Sequence, residues 1–148
     1  MKRFMLAVLL GLAMIAPFDA SASDDEVSLF DEGGKAVAYI ALDDEMTIYL
    51  WSGKPVAYLE RDEQGGYHVY GFNGLHLGWF VDGIVRDHEG AASCAVKERL
   101  QYTEYEPYKS YKQYKPYKSY TNYAPYRPYF SGSFSQTPCR FLLAEGGK

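Results

Sequence analysis

Between Val27 and Lys97 short apolar, β-prone runs alternate with turns that carry glycine, and the alternation occurs four times. The units run Leu29 to Ile40, Ile48 to Leu59, Val69 to Phe80 and Ile84 to Val96. Their turn glycines are Gly34, Gly53, Gly74 and Gly90. Repetition at this period predicts stacked or radially arranged units. Each unit reads as a β-hairpin. Asn73-Gly74 between two β-prone runs is the strongest two-residue turn signal, with both turn residues expected at positive φ. Asp43-Asp44, Gln64-Gly65-Gly66 and Asp82-Gly83 supply the reversals between hairpins. Eight short strands in up-and-down order follow.

The second strands align into columns. One column is small throughout: Ala38, Ala57, Gly78 and Cys94. Two residues on, hence on the same strand face, stand Ile40, Leu59, Phe80 and Val96. The other face takes Val37, Val56, Leu77 and Ser93, then Tyr39, Tyr58, Trp79 and Ala95. Small side chains at one point of every unit predict four strands meeting around a common axis. A flat meander is the alternative. Gly34, Gly53, Asn73, Gly74, Gly78, Trp79, Gly83 and Gly90 are the expected structural positions.

The recurring G-K-x-V-A-Y and Y-x-[WF]-x-G elements, followed by G-x-H-L-G-W-F-x-D-G-I from Gly74 to Ile84, resemble the bacterial 4-fold beta flower domain over residues 27 to about 97. The resemblance implies an all-β fold of four hairpins around a pseudo-fourfold axis. It implies no established activity and carries over no catalytic residue. The fourth unit departs most, with Val85 and Ala95 where units two and three have aromatics.

A different pattern begins at Arg99. Tyrosines stand at 102, 105, 108, 111, 114, 117, 120, 123, 126 and 129, always three apart. From Arg99 to Pro138 there is no Val, Ile, Met or Trp, so this stretch cannot build an aliphatic core. A step of three would wind the tyrosines around an α-helix and alternate them across a strand, and the prolines at 107, 116, 125 and 128 oppose a helix. Polyproline II has three residues per turn and would put all ten on one face over roughly 84 Å, with the lysines as a parallel stripe. The alternative is a disordered tail.

The chain start is a third pattern. Lys2 and Arg3, the apolar run from Phe4 to Ala16 and the small-residue site at Asp19-Ala20-Ser21-Ala22 fit a secretory signal peptide over 1–22. The run is shorter than the ~20 residues of a spanning helix, so no transmembrane span is expected after its removal. The expected organisation is a signal peptide at 1–22, a hairpin domain at 23–98, a tyrosine-ladder tail at 99–138 and a C-terminal end at 139–148.

Charge divides the same way. The 148 residues carry a formal net charge of −4, with −10 on Ser23 to Glu98 and +5 on Arg99 to Lys148. An acidic domain can therefore attract its own basic tail or a neighbour's. Export makes a Cys94–Cys139 disulfide an expectation; the alternative is a packed Cys94 and a free Cys139. His68, His76 and His88 form no metal-binding motif, and His68 and His76 are expected near each other on facing strands. Neither a catalytic motif, a cofactor nor a metal site is expected.

The binding candidates are Tyr105, Tyr108, Tyr111, Tyr114, Tyr117 and Tyr120, with Lys109, Lys112, Lys115 and Lys118. Aromatic faces stack on sugar rings, and lysines meet anionic polymers or lipid headgroups. The expected role is non-enzymatic binding in the bacterial envelope, periplasmic or secreted. Expected partners are an anionic envelope polymer, a glycan or a membrane surface, with self-association allowed and nucleic acid not expected. A structural or adhesive protein is the alternative.

Overall fold

A computed structural model describes residues 25–148; the expected signal segment at 1–22 lies outside them. Eight antiparallel strands close into a barrel in chain order. They are β1 (Glu26–Phe30), β2 (Ala36–Ala41), β3 (Thr47–Leu50), β4 (Pro55–Arg61), β5 (Tyr67–Gly71), β6 (His76–Val81), β7 (Ile84–Arg86) and β8 (Ala92–Ala95). Closure is made where Phe30 of β1 meets Ala95 of β8. The expected all-β architecture of four hairpins is thus a barrel, and the flat meander is excluded. An eight-stranded barrel has an interior just wide enough for side chains to fill it. Here Leu29, Ala38, Ile40, Ile48, Ala57, Val69, Val85 and Cys94 do so.

All four hairpins turn the same way. The N–H of Gly34, Gly53, Gly74 and Gly90 donates to the carbonyl of Asp31, Leu50, Gly71 and Asp87 at 2.8–3.0 Å. Each glycine sits at φ 85–93°, in the left-handed region that glycine enters without steric cost. Asn73 is not at positive φ, so the expected two-residue turn at Asn73-Gly74 is corrected to a longer one in which only the glycine is left-handed. Its side chain instead accepts from Leu75 N–H at 3.1 Å and donates to the Glu145 carbonyl at 2.7 Å. The two-residue turn with both members at positive φ is Asp82-Gly83.

Each turn is followed by a bulge. The register slips by one residue at Val37, Val56, Leu77 and Ser93 in turn. A bulge rotates the extra side chain out of the strict alternation of a strand. Val56 and Leu77 therefore join the barrel core, and Val37 packs against it. That corrects the expectation that this column shares the outer face with Tyr39, Tyr58 and Trp79.

The expected boundary at residue 98 marks a change of backbone, not the end of the folded unit. After a short 3-10 turn at Lys97–Arg99 the chain runs extended around the barrel and ends in helix α1 (Cys139–Ala144). Cys139 and Leu143 of α1 are buried in the barrel core, so residues 139–148 plug one barrel end. The 3-10 turn Glu145–Gly147 continues the plug, and Gly146 packs against Gly71 so closely that a Cβ on either would overlap the other's backbone. Cys94 and Cys139 are disulfide-bonded, Cα atoms 5.5 Å apart. The encircling segment is thus closed covalently on the strand from which it departs.

Two outcomes are expected in thermal denaturation. Gly65→Ala places a Cβ at φ 107° with nothing within 4 Å, so it costs only the left-handed conformation, about 1–2 kcal/mol. Gly53→Ala, at φ 93°, also drives its Cβ into the Tyr111 carbonyl, and its loss should be clearly larger. Equal losses would mean that the segment over Gly53 contributes no constraint. Reduction of Cys94–Cys139 should lower stability by about 4 kcal/mol on the chain-entropy estimate for this loop, read as a fall in melting temperature that Cys139→Ser reproduces without reductant.

Candidate functional site

The segment 99–138 is a belt whose attachment points recur every nine residues. The N–H groups of Glu104, Gln113, Asn122 and Ser131 donate to the carbonyls of Gly34, Gly53, Gly74 and Gly90 at 2.8, 2.9, 2.9 and 3.1 Å. Ser110 and Ser119 add bonds to the Trp51 and Phe72 carbonyls at 3.2 and 2.9 Å. The position nine further on is Pro128, which has no N–H to give. The carbonyls of Tyr102, Tyr111, Tyr120 and Tyr129 lie where a Cβ on the four turn glycines would stand. Each glycine thus serves twice, turning the hairpin and letting the belt backbone approach.

The period of three decides which side chains face out. Tyr105, Tyr108, Tyr111, Tyr114, Tyr117, Tyr120, Tyr123, Tyr126 and Tyr129 are 95–102% exposed, and Tyr102 is 66% exposed. A row of this kind, all on one side of an extended chain, is what the threefold repeat of polyproline II would produce. The expected tyrosine ladder is therefore an outward-facing ring of phenols on a backbone anchored in every quarter.

The cations of the belt point the other way. Lys109 pairs with Glu26 at 2.6 Å and Lys112 with the same carboxylate at 3.0 Å. Lys115 bridges Asp44 at 2.7 Å and Glu45 at 2.9 Å, and Arg127 meets Asp62 at 2.6 Å. Lys118 lies over the Tyr58 ring at 4.2 Å, and Lys109 over Tyr39 and Trp51 at 4.8 and 5.3 Å. The outer-face aromatics, among them Tyr39, Tyr49, Tyr58, Tyr70 and Trp79, are buried; the belt's cations cover part of their surface. In the fourth quarter, where the barrel lacks aromatics, Phe130 comes from the belt and Arg86 stacks on it at 4.9 Å.

This pairing sets protonation. Burial pushes the Glu26 carboxyl up, but hydrogen bonds from Lys109 and Lys112 outweigh it and hold the group below its ordinary value. Asp44 behaves likewise under Lys115 and Tyr49. Asp62 does so under the Gln64 N–H and Arg127. Burial beside Glu26 and Asp44 pushes the Tyr39 phenol up to about 12.

Of the residues singled out in the sequence, the six binding tyrosines lie on one exposed row, while Lys109, Lys112, Lys115 and Lys118 lie beneath it, turned toward the barrel. Gly34, Gly53, Gly74 and Gly90 are the points of belt attachment. At Gly78 a Cβ would overlap the Arg86 carbonyl; Gly83 turns the chain against Val96, and Trp79 is buried on the outer face. Sequence reasoning missed Arg127 and Asp62 as a clamp, and Ser110 and Ser119 as donors. A signal for them exists: P-Y-K-S-Y at 107–111 recurs at 116–120, and P-Y-R-P-Y follows at 125–129.

A closed barrel of four like hairpins, bound by a fourfold-spaced belt, defines the class of protein. The family model for the 4-fold beta flower protein matches residues 27–143, and the chain belongs to that family. The match runs through the belt and into α1. No curated protein and no solved structure matches the chain. Among the described residues, no helix is long and apolar enough to cross a membrane.

The carboxylate pairs give the belt a pH dependence. A carboxylate held below its unfolded value of about 4 contributes stability that is present above that value and lost as pH falls through the folded one. Belt attachment should therefore weaken in acid, below about pH 4, and stay intact above it. Hydrogen exchange at the Gln113 and Asn122 amides checks this. Protection that persists unchanged well below pH 4 would show that the backbone bonds hold the belt without its cations.

Proposed function

We propose that the protein is an exported, non-enzymatic binding module of the bacterial cell envelope that presents its tyrosine belt to a partner with flat, weakly polar faces, such as the sugar rings of an envelope glycan. The observation that carries this reading is the near-complete exposure of nine successive ladder tyrosines on an anchored backbone. Monomeric proteins seldom leave large aromatics exposed in a continuous row without a partner for them. Tyrosine supplies broad amphipathic contact with little conformational freedom to lose. The engagement of Lys109, Lys112 and Lys115 with the barrel's own carboxylates favours ring stacking over charge as the main recognition. The signal-like segment at 1–22 supports export.

A structural or adhesive role is the second reading. It is favoured by the belt's path, which places tyrosines around the barrel, so that one molecule can meet several neighbours.

Binding of the chain to a purified envelope glycan, measured by co-sedimentation over a range of salt, separates these readings. Replacing Tyr105, Tyr111, Tyr117 and Tyr123 by Ser should weaken binding about tenfold or more at every salt concentration, each lost stack being worth ~0.5–1.5 kcal/mol. Unchanged binding would remove the tyrosine belt as the recognition surface. Absence of glycan binding together with tyrosine-dependent self-association in sedimentation velocity would favour the adhesive reading.

A further inference from the structure

His68 of β5, His76 of β6 and His88 of the β7–β8 turn form a continuous hydrogen-bonded series. His68 Nδ1 and His76 Nε2 are 3.0 Å apart. His76 Nδ1 and His88 Nε2 are also 3.0 Å apart, with the two rings 9° from parallel. At one end His68, half-buried, faces Asp62 Oδ2 with its Nε2 at 3.7 Å, and the same oxygen receives Arg127 of the belt at 2.6 Å. At the outer end His88 is exposed and lines an open cavity of about 350 Å³ with Leu75, Leu142, Asp87, Glu89 and Glu145. His76, in the middle, is buried between Tyr70 at 5.0 Å and Trp79 at 4.8 Å.

Counting protons fixes what such a series can do. A neutral imidazole has one N–H and one lone pair. Each of the two N···N contacts needs one proton. Asp62 favours the tautomer in which His68 carries its proton on Nε2, facing the carboxylate. His68 Nδ1 then accepts from His76 Nε2–H, and His76 Nδ1 accepts from His88 Nε2–H. The remaining lone pair is on His88 Nδ1. One further proton fits without breaking a bond. It adds to His88 Nδ1, the His88 Nε2 proton passes to His76 Nδ1, and the His76 Nε2 proton passes to His68 Nδ1. The charge then rests on His68 beside Asp62. A second extra proton would set two N–H groups against each other and part the rings. Burial, together with the neighbouring His88 and His68, pushes the His76 imidazole down to about 4, so the middle ring passes the charge without keeping it.

We propose that His68, His76 and His88 are a single-proton binding relay that takes up one proton from solvent at His88 and delivers its charge to Asp62, where it competes with Arg127 for the carboxylate that fastens the belt. The groups facing the relay act on the charge from both ends. Asp62 and Glu60, the latter opposite His68 across β4–β5, attract the charge inward. Arg127 opposes it, while Asp87, Glu89 and Glu145 hold negative charge around the outer end. Arg127 also bonds the Gly65 carbonyl at 2.5 Å and lies over Phe130 at 5.5 Å. Proton uptake therefore loosens the fourth quarter of the belt without freeing it.

The test is a pH titration of the whole chain with 15N-labelled histidine, read by NMR. All three rings should respond with one shared midpoint and a total uptake of one proton. His76→Phe should abolish the shared response, leaving His68 and His88 with separate midpoints. His88→Gln, at an exposed position, should remove the response of His68 at the original midpoint, which keeps the test decisive if the buried substitution does not fold. Arg127→Gln should raise the shared midpoint by about one pH unit, the scale of losing a like charge close by. Titration of His88 alone in the unaltered chain, with His68 and His76 flat, would overturn the relay. An unmoved midpoint in Arg127→Gln would overturn its coupling to the belt.

Discussion

The course of the belt depends on one recurring contact, that between a belt amide and the carbonyl of a hairpin-tip glycine. It recurs at Gly34, Gly53, Gly74 and Gly90, and the tips are where a barrel has spare backbone acceptors. The constraint is steric as much as polar. The belt carbonyl preceding each donor by two residues occupies the volume of a missing Cβ. No other residue type meets both demands, since positive φ and absence of a side chain are required at one position. The tips are evenly placed around the barrel, and the belt amides that meet them are evenly placed along the chain. The fourfold symmetry of the barrel is thus written a second time as a nine-residue period.

Nine is a multiple of three, and that arithmetic reconciles attachment with display. A polyproline II chain repeats its facing every three residues, so an anchor every ninth residue returns the same face to the barrel each time. Tyrosines at every third place then stay outside throughout, while Lys109, Lys118 and Arg127, nine apart, stay inside. The inward cations meet the carboxylates that make the barrel acidic. The charges of −10 and +5 on the two parts of the sequence are therefore partly complementary within one molecule, through Glu26, Asp44, Glu45 and Asp62. The belt also covers part of the outer-face aromatics, giving a small barrel a second apolar layer beyond its interior. That matters because a domain of about 70 residues has little core to spare.

The four hairpins, the eight strands and the small column at Ala38, Ala57 and Cys94 were legible because each is a local or repeating pattern. The bulges at Val37, Val56, Leu77 and Ser93 were not. A bulge adds one residue to one strand, and a period-two reading carries that residue to the wrong face. Asn73-Gly74 misled for a related reason. The dipeptide signals a two-residue turn, but here the asparagine side chain is engaged by the C-terminal plug, a partner 72 residues away. The tyrosine period pointed to polyproline II, and charge pointed to attraction between tail and barrel. Their combination into a belt was hidden because three was read alone, whereas attachment is carried by nine, in the positions of Pro107, Pro116 and Pro125 and of Ser110 and Ser119. The histidine series was the least legible, since it depends on His88 reaching across from a neighbouring hairpin.

The covalent closure bears on what the belt is for. Polyproline II has no internal hydrogen bonds, and a free tail would lose its freedom each time it met a partner. Ordering it beforehand moves that cost from binding to folding, which is how preorganisation raises affinity. Chain continuity with β8 fixes one end of the belt to the barrel, the Cys94–Cys139 bond and the α1 plug fix the other, and the glycine contacts fix its middle. A purely solvating tail would need none of these anchors, and it would gain nothing from turning its lysines inward. Turning the cations toward the barrel and the rings toward solvent suits the proposed recognition, in which the contacts are aromatic and the geometry is set before a partner arrives.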